Sequence, residues 1–480
     1  MTVEERAVVL LGAAGCGKST LAAALLRAAG APPAAAPGPG RLAYGALEHR
    51  GVRVSLLDPP GAPDLAGELH AGLRAAGAAV LVVSPVQGLD ARTAQLWELC
   101  EAAGLPRLVV LTQLDRAGAD ADEAVAVCQR VLGEGVLPLQ LPLHDDDGPV
   151  GGLLDLLSLR VSDASGQSVR AAEPEHLPLV EGLRDELVEA ALTGSEDEEL
   201  FDAWLEGSEP APDVLRAELA AAVLRGDVQP AVVAVPPRGV GVAALLDLLV
   251  ALLPPAADRV PPPVAHPDGS PFLLAGELVA EVVRTGLLRV WSGALVPGAA
   301  VLVGGRGPVP YDGPAAGAGA LVETALLGLP GETVCTVEEP LVLAGWAVPT
   351  AQFPVGVRAD AGLAERVAQD PVARLAEHPR TGQLLLWSYG PEHAELLLEG
   401  LPSAPVVVPA GGRPALLRIR VPQWCARTVR SDLTGRGGEV LGSTEDEGGV
   451  VIEARLPEAE LVGYAVALAR ASASTGIFER

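Results

Sequence analysis

The feature that most constrains this 480-residue sequence is a glycine-rich stretch near its start, Gly-Ala-Ala-Gly-Cys-Gly-Lys-Ser at positions 12–19. It follows the apolar run 7–11 and precedes an alanine- and leucine-rich run at 19–29. The spacing matches the pattern G-x-x-x-x-G-K-[ST], in which glycines let backbone N–H groups turn inward around phosphates. A helix beginning there adds the partial positive charge of its N-terminus. The sequence therefore predicts a strand, a phosphate-binding loop and a helix within its first 30 residues.

The lysine content of the chain supports the same prediction. Lys18 is the only lysine among 34 basic side chains, and the other 33 are arginines. A compact ammonium reaches between phosphate oxygens, a task that the planar guanidinium does poorly. We therefore expect Lys18 to stabilise phosphate charge and Ser19 to ligate Mg²⁺, although a chance glycine-rich turn is the alternative. The predicted phosphate-binding residues are Gly12, Gly15, Cys16, Gly17, Lys18, Ser19 and Thr20.

Two acidic residues follow predicted strands farther along the chain. Asp58 ends the run 52–57 and precedes Pro-Pro-Gly61, which suits a carboxylate that holds Mg²⁺-bound water beside a glycine that contacts the terminal phosphate. Asp115 follows the run 107–112, and its carboxylate can accept hydrogen bonds from guanine N1–H and N2–H₂. Because strands alternate with helices here, we predict a doubly wound, mostly parallel sheet with Asp115 at its ligand-binding edge. The alternatives are an Asp-Pro turn for Asp58 and a helix N-cap for Asp115.

With these residues in place, the chain resembles elongation factor G, a translational GTPase. The segments LLDPPGAPDLAGELHAGL and LVVLTQLDRAGAD match the family's switch II and base-recognition motif. The likeness continues in the family's order through LFDAWLEGSEPAPDVL, LLRVWSGALVPGAAVLV, RTGQLLLWSYGPEHAEL and VRSDLTGRGGEVLGS. The resemblance implies GTP or GDP with Mg²⁺ as ligands. It also implies the ribosome as partner, contacted at ribosomal RNA and at the stalk base of the large subunit.

The resemblance, together with the residue pattern, predicts an α/β multidomain chain. We expect a P-loop NTPase doubly wound sheet with a helical insertion, then a β-barrel and two small ferredoxin-like α+β domains. A short linker at 402–413 stands where the family carries its fourth domain, which drives tRNA–mRNA movement, so we do not expect ordinary translocation. The remaining expected boundaries are 1–254 for the GTP-binding domain, about 139–228 for its insertion, 265–345 for the barrel, and 352–401 and 414–480 for the ferredoxin-like domains.

The predicted nucleotide site departs from the family pattern in four places. Ala62 replaces the switch II histidine that positions the attacking water, and no threonine stands between Thr20 and Asp58 to complete the Mg²⁺ shell. The base motif N-K-x-D reads Thr-Gln-Leu-Asp at 112–115, and the last motif reads Val-Pro at 235–236. We therefore expect intact phosphate binding, weakened guanine recognition and impaired hydrolysis.

Three functions fit this sequence. The first is a divergent translational GTPase that docks on the ribosome and hydrolyses GTP slowly. The second is a GTPase-dead, nucleotide-gated module that regulates the ribosome's factor site. The third is an off-ribosome P-loop nucleotide-binding protein, which the altered base motif would permit.

The net charge of −27 excludes bulk attraction to nucleic-acid backbones, so we do not expect DNA as a partner. Because the sequence lacks an unbroken apolar run of 18 residues, we do not expect a membrane as a partner either. The five cysteines are scattered without a C-x-x-C pair, which indicates neither a disulfide framework nor a zinc site. Because the first residues carry acids rather than a signal peptide, we expect a cytoplasmic protein.

One local basic cluster stands against the acidic balance of the chain. Arginine suits phosphate contacts, and in the family this domain touches ribosomal RNA, so the cluster is a candidate ribosome-binding surface. A solvated strand and helix face is the alternative. The cluster consists of Arg413, Arg418, Arg420, Arg427, Arg430 and Arg436.

Overall fold

The computed structural model of the chain describes most of its residues, which form two compact units. One unit consists of Met1–Gly61 and Leu69–Trp346, and the other of Ala62–Glu68 and Ala347–Arg480. The described residues are 4–36, 38–144, 148, 150–166, 168–346, 348–377, 382–401, 415–446, 449–456, 464, 467–468, 471–472 and 476–479.

The described residues up to 252 form both strands and helices. The strands are β1 (Glu5–Leu11), β2 (Ala43–His49), β3 (Val52–Asp58), β4 (Ala78–Val83), β5 (Arg107–Leu111), β6 (Val136–Pro138), β7 (Gln140–His144), β8 (Val150–Asp155), β9 (Arg160–Asp163), β10 (Val169–Ala171) and β11 (Gln229–Val233). The helices are α1 (Lys18–Ala28), α2 (Ala66–Ala75), α3 (Ala91–Ala102), α4 (Ala121–Leu132), α5 (Leu177–Leu192), α6 (Glu198–Leu205), α7 (Pro212–Arg225) and α8 (Val242–Leu252).

A seven-stranded sheet organises the first unit, in the order β2-β3-β1-β4-β5-β11-β6. Its neighbouring strands are parallel except for β2, which pairs antiparallel with β3. Strands β1, β4 and β11 are buried along their whole length, as expected of parallel strands with helices on both faces. Alternate residues of β1 therefore enter two different cores, Val8 with Leu21 of α1 and Val9 with Leu96 of α3. This arrangement confirms the predicted doubly wound α/β sheet.

The predicted insertion contains helices α5, α6 and α7, and it also contains strands that the sequence analysis missed. Strands β7 to β10 form a separate antiparallel sheet in the order β10-β9-β8-β7. Strands β9 and β10 have few buried side chains, so their hydrophobic pattern is too weak to predict them from sequence.

Short strands fill the remainder of the first unit, as is typical of a small barrel-like β domain. They form a six-stranded sheet in the order β18-β17-β21-β14-β15-β20, a three-stranded sheet β13-β12-β22 and the pair β16-β19. The strands are β12 (Val264–Ala265), β13 (Pro271–Phe272), β14 (Val279–Arg284), β15 (Leu287–Ser292), β16 (Ala294–Leu295), β17 (Ala300–Val303), β18 (Arg306–Pro310), β19 (Ala316–Gly317), β20 (Leu321–Glu323), β21 (Thr333–Thr336) and β22 (Val342–Leu343).

The second unit contains two small α+β sheets. In the first, strands follow the order β23-β25-β24; in the second, the order is β27-β28-β26-β29, the antiparallel arrangement of a ferredoxin-like split β-α-β fold. The expected linker 402–413 lies outside the described residues. The elements are β23 (Phe353–Gly356), α9 (Ala361–Ala368), β24 (Arg374–Glu377), β25 (Leu384–Ser388), α10 (Pro391–Leu398), β26 (Ala415–Val421), α11 (Ala426–Gly435), β27 (Glu439–Asp446), β28 (Gly449–Leu456) and β29 (Ile477–Glu479).

Candidate nucleotide-binding site

The glycine-rich loop connects β1 to α1, as its sequence predicts. Gly12, Gly15 and Gly17 have φ angles of 142°, 82° and 104°, in the region that favours glycine. A Cβ added at Gly12 would lie 2.3 Å from the Val82 carbonyl oxygen, so no larger residue fits there without moving β4. The loop conformation therefore explains why glycine is required at these positions, and it leads directly into the N-terminus of α1.

Lys18 lies inside this loop with its side chain buried. Its Nζ donates hydrogen bonds to the carbonyl oxygens of Gly12, at 2.7 Å, and Ala13, at 3.0 Å. A Cβ added at Gly61 would lie 2.8 Å from the same Nζ, so the glycine after β3 approaches the loop closely. The ammonium predicted to neutralise phosphate charge is thus held at the mouth of the loop, beside the glycine predicted to contact the terminal phosphate.

Ser19 and Asp58 meet next to Lys18, as expected of a Mg²⁺ site. The Asp58 carboxylate accepts a hydrogen bond from the Ser19 side chain, while its buried Oδ1 has no partner among the described residues. Burial raises the pKa of Asp58, and the Ser19 hydrogen bond and the charge of Lys18 oppose that rise. An unpaired carboxylate oxygen beside a hydroxyl fits a hard cation that completes its shell with water and phosphate oxygens.

Two other predicted binding residues lie at the edges of the loop. Thr20 is exposed in the first turn of α1, whereas the Cys16 side chain is buried. Burial also raises the pKa of the Cys16 thiol, so this cysteine is neutral rather than a reactive thiolate at physiological pH. Cys16 therefore packs beneath the loop and offers its backbone, rather than its side chain, to a ligand.

Asp115 lies in the turn that follows β5 and is exposed. The alternative of a helix N-cap does not apply to it, because Asp120 caps α4 by accepting a hydrogen bond from the Glu123 N–H at 2.9 Å. Strand β5 is parallel to β4, and β4 to β1, so their carboxyl ends lie at the same edge of the sheet. The carboxylate of Asp115 is thus available to a ligand at that edge.

The structure also reveals contacts to the loop that sequence reasoning did not anticipate. The Thr112 hydroxyl donates to the Cys16 carbonyl oxygen at 2.6 Å, and Gln113 Nε2 donates to the Gly15 carbonyl oxygen at 2.8 Å. Ser84, which directly follows β4, donates to Gln113 Oε1 at 2.7 Å. The only sequence signal for these roles was the place of Thr112 and Gln113 in the altered base motif.

The segment that begins at Ala62 belongs to the second unit, although Gly61 belongs to the first. A short 3₁₀ turn, Pro63–Leu65, follows Ala62, and Asp64 accepts a hydrogen bond from the Glu392 N–H at 3.0 Å at the start of α10. A Cβ added at Gly390 would lie 2.3 Å from the Asp64 carboxyl carbon, so glycine is needed at that approach. Asp64, three residues after Gly61, is therefore held at the start of α10.

The shortened segment between α1 and β2 carries a local backbone pairing. Ala35 and Tyr44 exchange both backbone hydrogen bonds at 2.8 Å, and the Ala31 N–H donates to the Leu26 carbonyl at 2.9 Å. These bonds fold the segment back along β2 and onto the end of α1.

The described arginines of the cluster divide between the exposed face of β26 and helix α11, and their contact with the ribosome stays a prediction. Exposed Arg418 and Arg420 alternate along β26 with buried residues that pack against α11. Exposed Arg427 and Arg430 lie on α11, which covers the opposite, buried face.

Arg436 differs from the exposed arginines of the cluster, because its side chain contacts neighbouring residues. Arg436 Nε donates to Asp432 Oδ2 at 2.8 Å, and its guanidinium lies 6.0 Å from the Tyr464 ring centre, which gives it a packing role. Arg413 lies outside the described residues. The described arginines thus offer two separate pairs of exposed cations.

In the described ranges, none of the helices has both the length and the apolar character that a membrane crossing requires.

Comparison with known proteins agrees with this architecture. Residues 41–255 match the elongation factor Tu GTP binding domain, and residues 415–480 match the elongation factor G C-terminus. The elongation factor G-like proteins of two Mycobacterium tuberculosis strains, CDC 1551 / Oshkosh and ATCC 25618 / H37Rv, are each 33% identical over 82% of this chain. The chain spans 65% of the length of these relatives.

A solved structure from Thermus thermophilus shares the fold, with a TM-score of 0.82 and 24% identity over 100% of this chain and 96% of that chain. The two matched family domains, their order along the chain and the extent of the likeness agree with one another. The chain is therefore similar to the elongation factor G-like proteins, with an elongation factor Tu-type GTP binding domain followed by an elongation factor G C-terminus.

Proposed function

We propose that this chain binds GTP and GDP with Mg²⁺ at the loop Gly12–Ser19 and acts on the ribosome with impaired hydrolysis. The observation that carries the proposal is the convergence of Lys18, Ser19, Asp58 and Gly61 on one loop. Lys18 would neutralise phosphate oxygens, and Ser19 and Asp58 would hold the Mg²⁺ through the hydroxyl and through bound water. When bound, the metal would supply neutralisation of the phosphate charge.

Impaired hydrolysis follows from the chemistry of Ala62. A methyl group neither donates nor accepts a hydrogen bond, so it cannot orient an attacking water where the family has histidine. Loss of such a group lowers the rate by orders of magnitude. We therefore expect slow GTP turnover, with the phosphate site still able to bind its ligand.

The test is GTP hydrolysis by the purified chain with and without intact ribosomes, beside Lys18→Ala. Wild-type turnover should be slow, and Ala62→His should raise it by at least about tenfold, whereas Ala62→Ser should not. Rapid ribosome-stimulated turnover in the wild type, abolished by Lys18→Ala, would contradict the proposed impairment. It would indicate that another group positions the water.

Ribosome binding is supported by the likeness to elongation factor G-like proteins and by the exposed cations of the last domain. Co-sedimentation with ribosomes should be measured for three variants. They are the double variant Arg418→Glu and Arg420→Glu, the double variant Arg427→Glu and Arg430→Glu, and Arg130→Glu as an exposed control on α4. We expect one of the two pairs to abolish pelleting and the control to preserve it. Co-sedimentation retained by both double variants would show that these arginines of the last domain do not contribute to ribosome binding.

The second candidate is a ribosome ligand that regulates the factor site without any turnover, and Ala62 is the residue that favours it. Only about a dozen residues, 402–413, replace the family's fourth domain, which argues against ordinary translocation in either case. Nucleotide-dependent pelleting with no turnover would favour the regulator. Nucleotide binding without ribosome association would favour an off-ribosome role.

A further inference from the structure

Residues 31–42 connect α1 to β2, and the structure describes all of them except residue 37. We call these residues the connecting segment. The segment passes around the edge of the seven-stranded sheet, because Ala34 packs against the core on the α1 side, whereas Leu42 is fully buried in the core on the opposite side. Both cores of the sheet therefore hold the segment, one near each end.

The middle of the connecting segment pairs with β2, which is the edge strand of that sheet. Ala35 and Tyr44 exchange both backbone hydrogen bonds at 2.8 Å. A Cβ added at Gly45 would lie 2.8 Å from Leu26 Cδ1 and 3.1 Å from Ala34 Cα, so glycine lets the segment come this close to β2. The segment thus gives Tyr44 the backbone partners that a residue on a sheet edge otherwise lacks.

Side chains of the barrel-like β domain strengthen this pairing. The Arg284 guanidinium donates to the Ala35 carbonyl oxygen at 3.4 Å. The buried Tyr44 hydroxyl donates to the Leu321 carbonyl oxygen at 3.0 Å and lies 3.2 Å from Ser55 Oγ. Both residues of the backbone pair are therefore also bonded to strands of the β domain.

The composition of the connecting segment offers little to a bound nucleotide. Its sequence is Ala-Pro-Pro-Ala-Ala-Ala-Pro-Gly-Pro-Gly-Arg-Leu, in which Arg41 carries the only polar side chain. A guanidinium supplies no oxygen ligand to Mg²⁺, and the four prolines lack the backbone N–H groups that could contact phosphate. A ligand shifts a conformational equilibrium only through its differential affinity for the two conformations, so a segment without contacts to the nucleotide does not respond to it.

We infer that the connecting segment is a fixed structural element whose conformation is the same with GDP and with GTP. The terminal phosphate is then sensed only by the chain that begins at Gly61, the glycine that approaches Lys18 Nζ. This inference rests on the proposed nucleotide-binding function. It implies that a partner that distinguishes the two nucleotide states contacts residues after Gly61 rather than residues 31–42.

The test is limited digestion of the full chain by trypsin, with Mg²⁺ and either GDP or a GTP analogue that resists hydrolysis. Mass spectrometry follows cleavage of the bond after Arg41, because Leu42 is buried and trypsin reaches that bond only when the segment opens. The cleavage rates in the two nucleotide states should agree within about twofold. In the same two states, hydrogen exchange at the backbone amides of residues 62–68 should differ by at least about threefold.

Two variants loosen the segment in different ways. Gly45→Ala brings a Cβ against Ala34 and should accelerate cleavage after Arg41 by about tenfold with either nucleotide. Gly442→Ala is the matched control, since this glycine also lies in a strand but has no atom within 4 Å of an added Cβ, and the rate should stay unchanged. Tyr44→Phe removes only the hydroxyl and should accelerate cleavage by about threefold.

Cleavage after Arg130, which is exposed on α4, separates local opening from loss of the whole fold. It should keep its wild-type rate in Tyr44→Phe, so this variant remains informative even where Gly45→Ala lowers the overall stability.

Three results would overturn the inference alone. They are a larger difference in cleavage after Arg41 between the two nucleotide states, an unchanged rate in both loosening variants, and equal hydrogen exchange of residues 62–68 in the two states. Failure of the wild-type chain to bind either nucleotide in calorimetry would overturn the proposed function instead. The effects of Gly45→Ala and Tyr44→Phe on cleavage would still be measurable without nucleotide.

Discussion

The phosphate side and the base side of the candidate site are built in different ways. On the phosphate side, backbone geometry requires the glycines of the loop. Lys18 places its ammonium against a backbone carbonyl of the same loop. On the base side, Thr112 and Gln113 replace the family's asparagine and lysine and still donate hydrogen bonds to the loop. A position fixed by steric exclusion accepts one residue, whereas a position that supplies a donor accepts several, provided that each reaches the same carbonyl.

The largest expected effect concerns the steric requirement at Gly12. Gly12→Ala should lower the free energy of unfolding by about 3 kcal/mol, because its Cβ would overlap the Val82 carbonyl and its φ disfavours a side chain. Gly30→Ala is the matched control: its φ is also positive, at 70°, but the space around it is open, so it should cost about 1 kcal/mol. Urea denaturation measures both, and equal losses would show that the contact with β4 has no energetic weight.

The next effect concerns charge on the phosphate side. Lys18→Ala should weaken GDP and GTP binding by at least about a hundredfold, because a buried ammonium contact to phosphate would be lost. Lys18→Arg should recover only part of the affinity, since the guanidinium is larger and planar. Arg27→Ala removes an exposed cation from the same helix and should have no effect in calorimetry. An intact Kd in Lys18→Ala would exclude the loop as the phosphate site.

A smaller effect is expected on the base side. Asp115→Asn should lower GDP affinity by about tenfold and raise xanthosine diphosphate affinity, because an amide donates where the carboxylate accepts. Competition binding with the two nucleotides gives the ratio directly. Asp120→Asn, at the N-cap of α4, is the control and should leave that ratio as it is. A constant ratio in Asp115→Asn would assign purine recognition to other residues.

The smallest effect is a pH dependence at Asp58. Because burial raises its pKa, the protonated form persists in the folded chain to higher pH than in an ordinary aspartate. The ionised form therefore destabilises the fold, a cost that is absent below about pH 4 and develops as the pH rises through the folded pKa. At the proposed site, bound Mg²⁺ would offset this cost by attracting the carboxylate.

The increase in Tm that Mg²⁺ gives to the GDP complex should thus shrink as the pH falls from about 7.5 to about 5. Asp58→Asn carries no titrating group at this position, so its Mg²⁺ response should show only the dependence caused by the phosphates. Identical pH profiles for the two proteins would mean that Asp58 does not contact the metal or its water shell.

Much of the phosphate side could be predicted from sequence, because its signals are local. The strand, the glycines and Lys18 lie within one short stretch of consecutive residues, and the apolar run 7–11 fixes the direction of β1. The insertion was harder to predict: α5, α6 and α7 carry recognisable patterns, but β9 and β10 have few buried side chains to mark them. The sequence could not place the arginine cluster on one surface, because residues that are close in sequence diverge when a strand leads into a helix on one face of a sheet.

The sequence alone determined that a glycine-rich loop of the phosphate-binding pattern follows the first strand and that the chain resembles elongation factor G, because both depend on residue types at fixed spacing. Only the tertiary structure decided that Thr112 and Gln113 hold that loop and that Asp64 meets the start of α10. These contacts join residues about 100 and 330 positions apart. A hydrogen bond requires two atoms to meet at a given distance and angle, and only the folded chain brings such distant residues together.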